Sequence, residues 1–229
     1  MIRVALTTLT TLTTLFLFAC GGGSSSSEPD TSPISMDEVS VRTLGIDLVN
    51  ISGSAADFFV KESSGASPLF DENNKVSSVL NFSSYYHSVS WTTATPMKLD
   101  IGTIETNNQT TSTFEEDILL NNKEKLWAIA WSDEGKLTLS TGNQEPSPVE
   151  DKYSLRVFAT EDVTVTVNST AFSVTNLSKG NFSNQLLVDN CNKELILSAN
   201  QIDICELEIG KSYLLIVDGE NVLLAAEEK

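Results

Sequence analysis

The run Lys125–Leu139, KLWAIAWSDEGKLTL, returns without a gap as Lys211–Ala225, KSYLLIVDGENVLLA. Each copy is an apolar stretch, a short acidic turn containing Gly, and a second apolar stretch, which is the signature of a β-hairpin. A hairpin used twice at the same relative place restricts the folded part to one β module made twice. Identities at Lys125/Lys211, Glu134/Glu220 and Leu137/Leu223 set the register of the two copies. That register pairs Trp127, Ile129 and Trp131 with Tyr213, Leu215 and Val217.

The strands before each hairpin recur in the same order. Thr43–Asn50 alternates Leu44, Ile46 and Leu48 against Gly45 and Asp47, a half-buried strand, and Tyr153–Phe158 corresponds to its Leu44–Val49. Ala56–Lys61 is matched by Asp162–Asn168, whose Val163, Val165 and Val167 alternate with Thr164 and Thr166. Lys75–Phe82 and Tyr85–Trp91, joined at Ser83-Ser84, are matched by Ala171–Leu177 and the NLSKGNFS after it. Met97–Ile101 is matched by Glu194–Leu197, and Thr113–Leu120 by Asp203–Ile209. No window holds a helical period. Between the modules lies TGNQEPSPVEDK, Thr141–Lys152, with two prolines and no apolar run. The expected division is a first module at 39–142, a linker at 143–152 and a second module at 153–229.

Ahead of the modules, residues 1–19 carry one early positive charge, Arg3, and an apolar stretch diluted with Thr, too short and too weakly apolar for a membrane span. This reads as a secretory signal. Residues 20–38 hold small polar residues and prolines and form a tether, whose reach is only about 20–25 Å for a flexible chain of this length. The chain has 14 basic and 31 acidic residues, a net charge of −17, and loss of the signal removes only Arg3. Such a surface repels phosphates, so nucleic acid is excluded as a partner.

Two resemblances follow from quoted motifs. Leu17-Phe18-Ala19-Cys20, followed by GGGSSSS, resembles the lipobox of bacterial lipoproteins. This implies a diacylglycerol thioether on Cys20, cleavage before it, and membrane anchoring by several acyl chains without a span. Gly21, not being Asp, implies the outer membrane in a Gram-negative envelope. The second resemblance rests on a strand ending near Asn50, the V-x-V-x-V strand, the "N-F-S" segments, and the closing Gly210-Lys211-Ser212-Tyr213-Leu214-Leu215-Ile216-Val217-Asp218-Gly219. Together these look like a family of secreted bacterial β-sandwich repeats catalogued as a domain of unknown function. It covers roughly residues 41–226 and implies a fold rather than an activity.

The candidate chemistry is sparse. With Cys20 lipidated, Cys191 and Cys205 remain as an even pair flanking one strand and its turn in an oxidising compartment, which predicts a disulfide. Two thiols without a nearby His are too few for a zinc site. His87 stands near Ser84, Ser88 and Ser90, but no G-x-S-x-G accompanies it, so a strand-surface His is expected rather than a catalytic base. Paired carboxylates at Glu115-Glu116-Asp117, Asp133-Glu134, Glu161-Asp162 and Glu227-Glu228 serve a glycosidase only if placed across a cleft. Asp133 and Asp218 read as turn formers. Acidic loops leave calcium open, although no D-x-D-x-D-G loop is present.

Trp127, Ile129 and Trp131 share one face of their strand, and the other face is apolar as well. This means a central strand covered on both sides, or a face that meets the other module or a partner. The functional version is an aromatic binding face of Trp127, Trp131, Tyr85, Tyr86 and Trp91. The expected protein is therefore all-β: two tandem immunoglobulin-like antiparallel β-sandwich modules after a lipoprotein signal and a flexible tether. Its expected role is a non-catalytic binding or assembly module of the bacterial envelope, with no cofactor and with an envelope protein or glycan as partner. The rivals are a carbohydrate- or calcium-dependent adhesion module and an envelope hydrolase.

Overall fold

The computed structural model describes residues 40–229, apart from Ala171 and the side chains of Gln109 and Thr110. Cys20, the signal and the whole tether lie outside the described residues. Val39–Lys229 forms one compact unit. Its first half has eight strands: β1 Arg42–Ile51, β2 Ala56–Glu62, β3 Lys75–Val79, β4 Ser83–Trp91, β5 Met97–Glu105, β6 Asn108–Leu120, β7 Lys125–Asp133 and β8 Lys136–Asn143. They form two four-stranded sheets, ordered β4-β1-β7-β8 and β3-β2-β5-β6.

The second half repeats this plan with β9 Tyr153–Ala159, β10 Val163–Val167, β11 Ser173–Leu177, β12 Leu186–Val188, β13 Leu195–Leu197, β14 Asn200–Ile202, β15 Ser212–Val217 and β16 Val222–Glu228. Its sheets are β12-β9-β15-β16 and β11-β10-β13-β14, the same order shifted by eight strands. In each module the first strand pairs parallel with the seventh, β1 with β7 and β9 with β15, while every other strand pair is antiparallel. The chain is thus two tandem β-sandwich modules. Their strand order is their own, since an immunoglobulin constant-type domain places strands 1, 2, 5 and 4 in one sheet and 3, 6 and 7 in the other.

The alternation in the sequence decides which side of each strand is buried. Leu44, Ile46 and Leu48 of β1, with Leu126, Ala128 and Ala130 of β7, face Phe58, Leu99 and Ile101 of the opposing sheet. Leu155, Val157, Tyr213, Leu215 and Val217 do the same against Val163, Val165 and Leu195 in the second module. The outer face of the first of these sheets carries Val49, Ile51, Trp127, Ile129 and Trp131, and these pack on Phe158, Leu214 and Ile216 of the second module. The two parallel-containing sheets therefore stand back to back as the inner layers of a four-layer stack. Full burial of such side chains is worth roughly 1.5–3 kcal/mol each, so this contact is comparable in strength to a small core.

Three expectations change. The counterpart of Tyr85–Trp91 is β12, Leu186–Val188, and not the NLSKGNFS segment, of which only Asn176 and Leu177 are in a strand, the end of β11. The copies of the hairpin are offset by one residue from the register that their identities suggest: Trp127 faces the other module, as Leu214 does, whereas Tyr213 faces its own core. The cause is turn length. β7 and β8 are joined across the two residues between Asp133 and Lys136, but β15 and β16 across the four between Val217 and Val222, with a register shift beside them. Aligning the acidic turns without a gap therefore slips the strands, and one residue of slip exchanges the faces. The segment Asp203–Ile209 is not a strand either. Ile204 N–H donates to Cys191 O, Leu207 N–H to Ile204 O and Cys205 N–H to Asp203 Oδ1, so its backbone is satisfied by turns, and the sixth strand is the short β14 before it.

Candidate functional site

The sheets face each other in the same sense. Trp127, near the start of β7, donates Nε1–H to Glu228 Oε1 at 3.0 Å, and Glu228 pairs with Ser212 at the start of β15. Trp131, near the end of β7, meets the Phe158 ring edge-on at 6.0 Å. Around Glu228 lies a buried polar cluster: Arg156 donates to Glu228 Oε1 at 3.1 Å and to Asn143 O at 2.8 Å, and Ser212 Oγ lies 3.3 Å from Glu228 Oε2. Arg156 also sits over the Phe182 ring at 5.5 Å. The ion pair lies within the second module and reaches the first through two hydrogen bonds, from Trp127 Nε1–H to Glu228 and from Arg156 to Asn143 O; displacement of the modules would strip these buried polar groups of their partners.

Module 2 does not cover the whole outer face of module 1. At the β4 side a crevice of about 490 Å³ opens between the modules. Its floor is the row Tyr86, Asp47 and Trp127, which are direct neighbours across β4, β1 and β7. Ala225, Ala226 and Glu227 of β16 form the wall, with Ser84 and Lys125 at the rim. Cross-strand neighbours on one face stand about 5 Å apart, so the phenol and the carboxylate are presented side by side.

Tyr86 is 54% exposed, and its ring and hydroxyl lie over Gly45. A Cβ at Gly45 would stand 2.7 Å from the ring, so only glycine leaves room for this pose. Gln144 Nε2 donates to Asp47 Oδ2 at 2.5 Å, and Gln144 Oε1 accepts from Lys229 N–H at 3.5 Å, which joins the two modules at the crevice. Burial pushes the Asp47 carboxyl above its ordinary value, against the opposing pull of the Gln144 hydrogen bond and the Lys125 and Lys229 charges.

The five aromatic residues of the expected binding face do not form one surface. Trp127 and Trp131 are 2% and 3% exposed, because the second module covers their strand face. Trp91 is buried in its own core, with Nε1–H donated to Thr95 O at 2.9 Å. Tyr85 and Tyr86 are exposed, but on opposite faces of β4: Tyr85 pairs with the core residue Leu48, whereas Tyr86 pairs with Asp47. Tyr86 alone of the five opens into the crevice from an exposed position, with the edge of Trp127 behind it.

His87 and the serines separate in the same way. His87 stands opposite Ile46 on the core side of β4, while Ser84, Ser88 and Ser90 point to the other face. Burial pulls the imidazole below its usual value, so it is neutral at neutral pH. The paired carboxylates are engaged in structure. Glu115 accepts from Thr141 N–H and Oγ1, Asp133 and Glu134 pair with Lys179, Asp162 accepts from Lys179 N–H, and Glu227 lies 3.5 Å from Lys211. Asp218 forms its turn through Asn221 N–H at 2.7 Å, whereas Asp133 holds Lys179 instead. Cys191 and Cys205 are joined in a disulfide. With Asp203 they are the group of potential metal ligands found among the described residues, but sulfurs in a disulfide offer no thiolate.

Asp47, Gly45, Gln144, Arg156 and Glu228 were not singled out by motif. The signal for them is positional: the first-strand correspondence makes Asp47 equivalent to Arg156 and the corrected hairpin register makes Gln144 equivalent to Glu228, so both modules join these positions by a side-chain hydrogen bond. No protein-family model matches the chain, and no curated protein matches it in sequence.

Proposed function

We propose that this protein is a non-catalytic binding or assembly component of a bacterial envelope, held at the membrane by lipid on Cys20 and presenting its two β-sandwich modules close to the anchoring surface. An all-β, non-barrel fold is consistent with a structural or binding module. The observation that carries the reading is the back-to-back interface: apolar packing and the hydrogen bonds from Trp127 to Glu228 and from Arg156 to Asn143 O set two modules in one orientation, which shapes a crevice neither module has alone. Pre-formed pockets at module boundaries are common binding sites. The separation of His87 from Ser84, Ser88 and Ser90 favours binding over hydrolysis.

The short tether and a lipid on Cys20 make outer-membrane localisation and a nearby envelope partner part of the same reading. The test is crosslinking in cells, followed by recovery of C-terminally tagged protein from membranes and mass spectrometry, with Cys20→Ala in parallel. A stoichiometric partner that disappears with Cys20→Ala is the expected result. Equal recovery of the protein in the soluble fraction with and without Cys20 would sink the anchoring, and the absence of any partner above background would sink the assembly role.

A further inference from the structure

We propose that the crevice between the modules binds an uncharged glycan, with Tyr86 as the stacking platform and Asp47 and Lys125 as hydrogen-bonding partners for ring hydroxyls. This rests on the reading of the chain as a binding module and names what that module holds. Four observations converge. The aromatic ring is exposed yet laid down on backbone, a pose that requires the absence of a side chain at Gly45. A sugar ring presents an apolar C–H face to such a platform and hydroxyls around its rim. Asp47, Tyr86's direct neighbour in the register, is held by Gln144 through Oδ2, while Oδ1 makes no hydrogen bond among the described residues and is free to accept from a hydroxyl. Lys125, at the rim, forms no ion pair among the described residues and supplies donors.

The charge of the ligand follows from the lining. Asp47 and Glu227 stand with Lys125 and Lys229 around the opening, so the local set is mixed and close to balanced. A polyanion would meet two carboxylates there and the net charge of −17 beyond, and a polycation would meet the two ammonium groups. A neutral ring carrying both donors and acceptors satisfies each group. The volume of about 490 Å³ lies within the range of small-molecule pockets and suits a short saccharide rather than a folded partner.

The test uses the full chain, purified from membranes in a detergent without a sugar headgroup. Maltotriose, cellotriose and triacetylchitotriose are titrated, with tryptophan fluorescence and calorimetry as readouts. At least one is expected to bind. Tyr86→Ala and Gly45→Ala are each expected to weaken that binding roughly tenfold or more, Tyr86→Phe to retain it, and Tyr85→Ala, on the other strand face, to leave it unchanged. Tyr86 is exposed, so its variants are expected to keep the wild-type melting temperature.

Absence of binding by all three up to about 10 mM, or binding that survives Tyr86→Ala, overturns the assignment. If the saccharides fail while a crosslinked envelope partner is still recovered, the glycan assignment alone falls. If both fail, the binding-module reading falls with it.

Discussion

Phe82 occupies a backbone position that module 2 gives to glycine. Both Phe82 and Gly180 donate N–H to the carbonyl near the end of the first strand, to Asn50 O and Ala159 O respectively, each at 2.7 Å. Their φ angles are +57° and +76°. A left-handed conformation costs an L-residue about 1–2 kcal/mol and glycine little. The ring of Phe82 is 53% exposed and returns little of that cost. The loop is held instead by buried Asn50, whose Nδ2 donates to Ser54 O at 2.7 Å and Val79 O at 2.8 Å. Phe82→Gly is therefore expected to raise stability by roughly 1 kcal/mol, read as a higher urea midpoint. A lower midpoint would mean that the ring contributes packing which its exposure conceals.

The Asp189 carboxylate is a second residue-scale case. It accepts from Lys152 Nζ, and from Thr170 Oγ1 and N–H at 2.6 and 3.1 Å, and these bonds hold it down to about 2. A carboxyl depressed in the folded state stabilises it fully above the ordinary value near 3.8, and the contribution is lost as pH falls through about 2. Asp189→Asn is expected to lower the melting temperature at pH 7, with the difference from wild type shrinking between pH 4 and pH 2. A difference that stays constant over that range would show that charge is not the cause.

At the scale of elements, the inner sheets meet through apolar packing, and the second of them carries one buried ion pair, Arg156–Glu228, that also bonds to the first; packing and pair respond differently to mutation. Removing one partner of a buried pair leaves the other charge unsolvated, which costs about 3–5 kcal/mol, whereas apolar replacement of both is far milder. Arg156→Met and Glu228→Leu are each expected to destabilise strongly, and Glu228→Leu also strips Trp127 Nε1–H of its acceptor. The double variant is expected to be more stable than the sum of the singles predicts, by more than about 1 kcal/mol in a double-mutant cycle. Additive effects would show that the pair is not coupled.

The disulfide acts on a different element, the β13–β14 hairpin, which it closes with a sequence separation of 14. In the chain-entropy view its loss costs about 3 kcal/mol. Cys191→Ser with Cys205→Ser is expected to lower stability by about that amount, and also to increase amide exchange in β13 and β14 before β9 and β15. Uniform loss of protection would instead show that the bridge supports the whole module.

The fold is legible in the sequence where period and order carry the signal and hidden where only the third dimension does. Val163, Val165 and Val167 alternate so regularly that β10 and its buried face are legible at once. The three-residue strands β12 and β14 are too short for any period, and the apolar residues of the neighbouring turns imitate them. The two-sided apolar β7 announces that something covers Trp127 and Trp131, but a strand cannot say whether that is a partner or another part of its own chain. Asp47 and Gly45 look like the solvent side of a strand, because their meaning depends on Tyr86 and Glu227 arriving from elsewhere in the fold. The Asp47/Arg156 contrast is legible from the first-strand correspondence, whereas Gln144/Glu228 becomes visible only once the hairpin register is corrected.

At the scale of the molecule, one face of a repeated module is buried against the same face of its twin. Each module alone would expose that face: Val49, Ile51, Trp127, Ile129 and Trp131 in one, Phe158, Leu214 and Ile216 in the other. Contiguous apolar areas of this kind drive association. Which association wins is decided by the polar groups. Two first modules would leave Trp127 Nε1–H without Glu228 and Asn143 O without Arg156, and two second modules would leave the Arg156–Glu228 pair without both of these partners.

Residues 39–143 and 144–229, expressed separately, are therefore expected to self-associate or precipitate alone. Mixed after refolding, they are expected to form a one-to-one complex. Light scattering coupled to size-exclusion chromatography reads the masses directly, and Arg156→Glu in the second fragment should abolish the mixed complex without restoring a monomeric first fragment. Two soluble, monomeric fragments that ignore each other would show that the back-to-back interface is incidental, and the crevice it frames would then lose its basis.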